Sequence, residues 1–129
     1  MVSILPLGKA QIIREASILP SSYQLLPQSG SHKPKTGDQY LVLTLSIDNT
    51  SKTANFDFNP ADMVILDPKG TVISMVSLKS LTNELTNQTL KPGAKLDGVI
   101  AYELPQIENK WTLELKSTNN QNLMWSNAG

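Results

Sequence analysis

Between Tyr40 and Ile47 the chain alternates with a strict period of two. Leu41, Leu43, Leu45 and Ile47 fall on one side, and Tyr40, Val42, Thr44 and Ser46 on the other. A helix would scatter these four aliphatic residues around its circumference, whereas a strand lays them on one face of a sheet. One face wholly apolar and one mixed is the pattern of a strand with a single face in a core. Asp48-Asn49-Thr50-Ser51 then supplies turn formers. This segment makes the chain a sheet protein unless the rest contradicts it.

The rest agrees. Phe56 and Phe58 alternate with Asn55 and Asp57 before Asn59-Pro60 stops the run. Met63–Leu66 and Thr71–Val76 flank Asp67-Pro68-Lys69-Gly70. Asp first, Pro second and Gly fourth is the preference of a type I turn, so a hairpin is expected here. Lys91-Pro92-Gly93 places Pro and Gly where a type II turn wants them, and a strand from Leu96 to Leu104 follows, ended by Pro105. Trp111, Leu113 and Leu115 alternate again, and a last strand over Asn122–Ser126 pairs back across a turn at Thr118–Gln121. Ala10–Leu19 is a weaker strand. Between Ser77 and Thr89 the period shifts: Leu78, Leu81 and Leu85 sit at helical spacing, which predicts one short helix or strap near 78–88. Pro20–Gly37 is the longest stretch without a clear period. About seven or eight short strands separated by turn signals predict an all-β fold, an immunoglobulin-like antiparallel β-sandwich. The 129 residues suit one domain, 1–129.

Composition narrows the chemistry. Eleven basic residues balance eleven acidic ones, so there is no bulk field to attract nucleic acid or anionic lipid. Ser, Thr, Asn and Gln number 40, which suits strands and turns. With no cysteine there are no disulfides and no thiolate sites, and a single histidine, His32, excludes a site built from several imidazoles of one chain. No apolar run reaches the roughly 18–20 residues that span a bilayer as a helix. Met1–Gly8 has no basic start and is broken at Pro6, so it does not read as a signal peptide.

The order of these motifs carries a resemblance. Thr36-Gly37-Asp38-Gln39-Tyr40 leads into the alternating strand that ends Ile47-Asp48-Asn49. Met63–Gly70 follows, then Thr89-Leu90-Lys91-Pro92-Gly93 ahead of Leu96–Pro105. Over residues 36–116 the chain resembles a bacterial family of telokin-like, immunoglobulin-like domains of unknown function, similar to the immunoprotective extracellular proteins. The resemblance implies a sandwich in a secreted or envelope-attached, lipoprotein-associated bacterial protein, with a cytoplasmic location as the alternative. It implies no catalytic residues.

The residues themselves point the same way. Glu103, Glu108 and Glu114 invite an acid–base reading, yet Glu103 and Glu114 each alternate with apolar neighbours and read as solvent-facing strand positions. Asp57, Asp62 and Asp67 could gather around calcium, but no Asp-x-Asp-x-Asp-Gly loop is present and Asp67 serves a turn. No phosphate loop or nucleophile elbow occurs. The expectation is therefore a domain that is not an enzyme, with no catalytic, cofactor or metal residues and no nucleic-acid partner, binding a protein partner through loops or an edge strand. Ser29, Ser31, His32, Lys33 and Lys35 are the candidate partner-binding loop. Trp111 reads as core; Trp125 is the candidate exposed aromatic, against the alternative that it closes the edge of the core. The alternative is a cysteine-free, proteinase-inhibitor-like sandwich offering Pro20–Gly37 to a protease cleft as an extended loop.

Overall fold

The computed structural model describes residues 4–78, 81–105, 110–116 and 122–127. Its strands are β1 (Ile4–Pro6), β2 (Gln11–Ile13), β3 (Ala16–Leu26), β4 (Asp38–Asn49), β5 (Phe56–Phe58), β6 (Met63–Leu66), β7 (Val72–Ile73), β8 (Met75–Val76), β9 (Gln88–Leu90), β10 (Lys95–Pro105), β11 (Thr112–Leu115) and β12 (Leu123–Ser126). The alternating segment becomes β4, whose Leu41, Leu43 and Leu45 are fully buried. It lies at the centre of a five-stranded sheet ordered β2-β3-β4-β10-β8. A second five-stranded sheet runs β1-β12-β11-β6-β7, and β5 pairs with β9 in a two-stranded ribbon.

The two large sheets face each other. Ile18, Leu43, Ile100 and Leu104 from the first meet Met63, Ile65, Leu113 and Trp125 from the second in one apolar cluster, which the ribbon's Phe56, Phe58 and Leu90 join. The buried Tyr102 hydroxyl donates to the Met63 carbonyl at 2.8 Å and ties the layers together. Burial holds the Tyr102 phenol well above the usual tyrosine range. This is the expected immunoglobulin-like sandwich.

Four details differ from the sequence reading. First, the strands outnumber the seven or eight expected, because several are only two or three residues long, too short to show a period. Thr71–Val76 is broken at Ser74, so that β7 joins one sheet and β8 the other. Second, β1 and β12 run parallel, so the sandwich is not wholly antiparallel. Third, Ala10–Leu19 splits at Arg14-Glu15, a two-residue turn with φ of 48° and 70° that no glycine announces. Fourth, of the helix or strap expected near 78–88 the described residues form a strap and no helix. β11 and β12 pair antiparallel as expected, while the turn at Thr118–Gln121 lies outside the described residues.

The helical spacing of the three leucines has another cause. Leu78 and Leu81 cover Tyr40, Val42 and Ala101 on the outer face of the first sheet, while Leu85 enters the main core. The strap that carries them is pinned to β10 by Val99 N–H to Asn83 O and Leu85 N–H to Val99 O, at 2.8 and 2.9 Å. The Glu84 carboxylate closes it by accepting from the Leu78 N–H and the Ser77 hydroxyl. Gly98 makes room for this crossing: a Cβ there would stand 2.4 Å from Leu85 Cδ2 and 2.7 Å from the Asn83 carbonyl oxygen.

Candidate interaction surface

The segment after Pro20 is not a free loop. Register shifts at Pro20/Ser22, and β3 then continues against β4 with Tyr23 opposite Leu43 and Leu25 opposite Leu41. The inhibitor reading loses more than a third of its extended segment here, because Pro20–Leu26 already lies in the β3–β4 ladder. The neighbour on the other side stops short. β2 pairs only with Ala16–Ile18, and Gly8 N–H donates to Pro20 O. Among the described residues no strand pairs with the outer edge of Ser21–Leu26.

This edge carries no charge and is mostly exposed. Tyr23 and Leu25 point to the inner side, where the Tyr23 ring meets Trp111 edge-on at 5.1 Å, yet they remain 39% and 45% exposed. Their neighbours Ser22 and Gln24 pair with Thr44 and Val42 and lie on the outer face. There they border a recess of about 380 Å³ floored by Val42, Thr44 and Val99 and walled by Leu81, Thr82 and Asn83. Its polar residues, among those described, are all neutral. The alternation Ser22-Tyr23-Gln24-Leu25 was visible in the sequence, but Pro20 and the Ser21-Ser22 pair disguise it as a loop.

Beyond Leu26 the chain turns into the candidate loop. Ser29 and His32 form an isolated bridge, with reciprocal N–H to carbonyl bonds of 2.9 and 2.8 Å around Gly30 at φ 57°. Ser29 is buried, His32 half-buried, and Ser31, Lys33 and Lys35 exposed. The loop is therefore a tight turn rather than an extended protease-binding strand, and Ser29 is structural. Lys35 N–H donates to Glu103 Oε2 at 3.3 Å, which docks the loop against β10. Glu103 also shares a hydrogen bond with the Asp38 side chain; that contact, then burial, raises its carboxyl above the ordinary range, while Lys35 opposes the shift. Beside it, burial and then the Glu103 charge raise Tyr40.

The other singled-out residues separate. Trp125 is fully buried, and its indole N–H donates to the Lys9 carbonyl at 2.7 Å, so it is no exposed aromatic. Parallel pairing with Leu5 of β1 covers it, a partner far away in sequence. Trp111 is core, as expected. Glu103 and Glu114 lie on strands of different sheets, each flanked by inward-facing neighbours, so they project from opposite outer faces. Glu108 lies outside the described residues. Asp67 accepts from the Lys69 and Thr71 N–H groups, and Asp57 from the Thr89 hydroxyl. Among the described residues no three carboxylate or imidazole groups gather as metal ligands.

A family model described as a domain of unknown function (DUF4352) matches residues 6–127. The chain belongs to that family. The match is longer than the 36–116 stretch that carries the motif resemblance, and it takes in β2, β3 and β12. Three solved structures share the fold. A lipoprotein-like protein, ycdA of Bacillus subtilis, is 11% identical with a TM-score of 0.75, over 91% of this chain and 37% of that one. The chain thus spans little more than a third of that relative. A secreted protein of Mycobacterium tuberculosis, MPT63, is 10% identical with a TM-score of 0.67, over 97% of each chain. A β-sandwich protein of Clostridium difficile is 13% identical with a TM-score of 0.61, over 98% of this chain and 94% of that one. No functionally curated protein matches the sequence. No helix among the described residues is long and apolar enough to cross a membrane.

Proposed function

We propose that this DUF4352 domain is a non-enzymatic interaction module of the telokin-like, immunoglobulin-like kind, working outside the cell or at the bacterial envelope. It binds an extended segment of a partner protein along the free edge of β3. One observation carries the reading: Ser21–Leu26 is held in strand geometry by β4, has no described partner on its other side, and lacks the lysines or prolines that usually blunt such an edge. Unpaired backbone groups in a row are satisfied by an added strand, the mode by which many peptide-binding domains work. The Ser29–His32 turn sits at the end of the slot, where Lys33 and Lys35 are exposed to a partner's flank. The secreted and lipoprotein-like relatives support the location.

A photocrosslinking residue in place of Leu25, introduced in cells that make the protein, tests the reading. Adducts with a partner protein are expected from position 25 and not from Val72, an exposed residue of the opposite sheet's edge strand. Adducts from position 72 alone, or from neither, would move the functional surface elsewhere.

A further inference from the structure

The two sides of the free edge differ in chemistry, and that difference defines what fits. On the inner side, Tyr23 and Leu25 offer adjacent apolar surface that burial would remove from water. On the outer side, Ser22 and Gln24 stand beside the neutral recess, backed by Thr44, Thr82 and Asn83. None of these five side chains is spent on a hydrogen bond to another described residue, so their donors and acceptors remain available. A charged side chain docked there would meet no counter-charge among the described lining residues, whereas a hydroxyl or amide would find matching hydrogen-bond partners.

An added strand places successive side chains on alternate sides, beside Ser22 and Gln24 and then beside Tyr23 and Leu25. Resting on the edge-strand reading above, we infer that the occupant is an extended peptide segment alternating uncharged polar with apolar residues over about six positions, roughly 20 Å. A second copy of the chain fits less well. Its own β2 lies on this same edge and, in an antiparallel pair, would be brought against the Pro27–His32 corner.

Calorimetric titration with synthetic peptides tests this on the intact protein. One hexapeptide alternates Thr and Val; a second holds the same residues in two blocks; a third is the alternating peptide with Glu for its central Thr. The alternating peptide should bind at least tenfold tighter than the block peptide, and the Glu substitution should weaken it at least fivefold. Gln24→Lys should restore binding of the Glu peptide while leaving the melting temperature unchanged. N-methylation of alternate amides in the alternating peptide should abolish binding. If none of the peptides binds, the edge reading itself fails. If alternating and block peptides bind alike and N-methylation still abolishes binding, the edge stands and the inferred pattern is wrong. Concentration-dependent dimers in sedimentation that Leu25→Lys dissolves would assign the edge to a second copy and overturn the peptide.

Discussion

Asn49 makes more hydrogen bonds than its size suggests, and all of them hold turns together. It is fully buried, and its Nδ2 donates to the carbonyls of Ala54, Leu90 and Lys91 at 2.9, 3.0 and 3.2 Å while Oδ1 accepts from Ser51 N–H. Asn49→Asp keeps the shape but turns a carboxylate oxygen toward carbonyl oxygens. It should cost about 3 kcal/mol or more in urea unfolding, against about 1–3 for a single lost partner. The two faces of β4 give a second comparison. Leu45→Asp puts a carboxylate into the core and should unfold the domain, since the penalty of several kcal/mol rivals the roughly 5–15 that holds a domain together. Thr44→Asp, at the outer recess, should be far milder; equal losses would contradict the assigned faces. Glu103 adds a pH dependence. Its carboxyl titrates above its ordinary value of 4.5, chiefly through the hydrogen bond with Asp38. The folded chain therefore holds this proton more tightly than the unfolded one. The resulting stability is complete below the unfolded value and is lost as pH rises through the raised one. Melting of Glu103→Gln, followed upward from about pH 4, should lose that part of the decline. A slope identical to the parent's would show that the Asp38 contact contributes nothing.

Among the elements, the strap and the β2–β3 turn hold opposite lessons about backbone. The strap needs the absence of a side chain at Gly98, where a Cβ would press on Leu85 and on backbone oxygen. Gly98→Ala should destabilise by about 1–3 kcal/mol, the usual cost of overpacking, and should loosen protection of the Leu85 amide in hydrogen exchange. The turn has side chains where it would do better without. Arg14 and Glu15 both occupy the left-handed region, Thr50 clamps the Glu15 carbonyl, and the Arg14 guanidinium lies 4.9 Å from the centre of the Phe56 ring. Left-handed backbone costs about 1–2 kcal/mol for a side-chain-bearing residue, partly offset by the entropy glycine loses. Glu15→Gly should therefore raise stability by about 0.5–1 kcal/mol. A loss would mean that the Glu15 side chain contributes there.

For the molecule as a whole, the main core is an apolar layer between two sheets with a smaller cluster beneath the strap, and the 29–37 loop lies outside both. Exchanging residues 31–34 for a Gly-Ser segment should leave the melting temperature within about 5 °C, since the ladder partners of β3 and β4 are untouched. A larger drop in a thermal melt would make the loop part of the sandwich itself. What could be read directly from the chain was local. Period-two faces put Leu41, Leu43 and Leu45 inside, and Asp67-Pro68-Lys69-Gly70 closes its hairpin through Gly70 N–H to Asp67 O at 2.9 Å. Such signals survive in sequence because neighbours a few residues apart create them. The rest depended on partners far along the chain. Trp125 is buried because β1 comes alongside β12, and Leu78, Leu81 and Leu85 divide between two clusters because a strap crosses a sheet at Gly98. Ser21–Leu26 is an edge because β2 ends too soon. Which strand lies beside which is settled by packing over the whole core, and no local pattern encodes it.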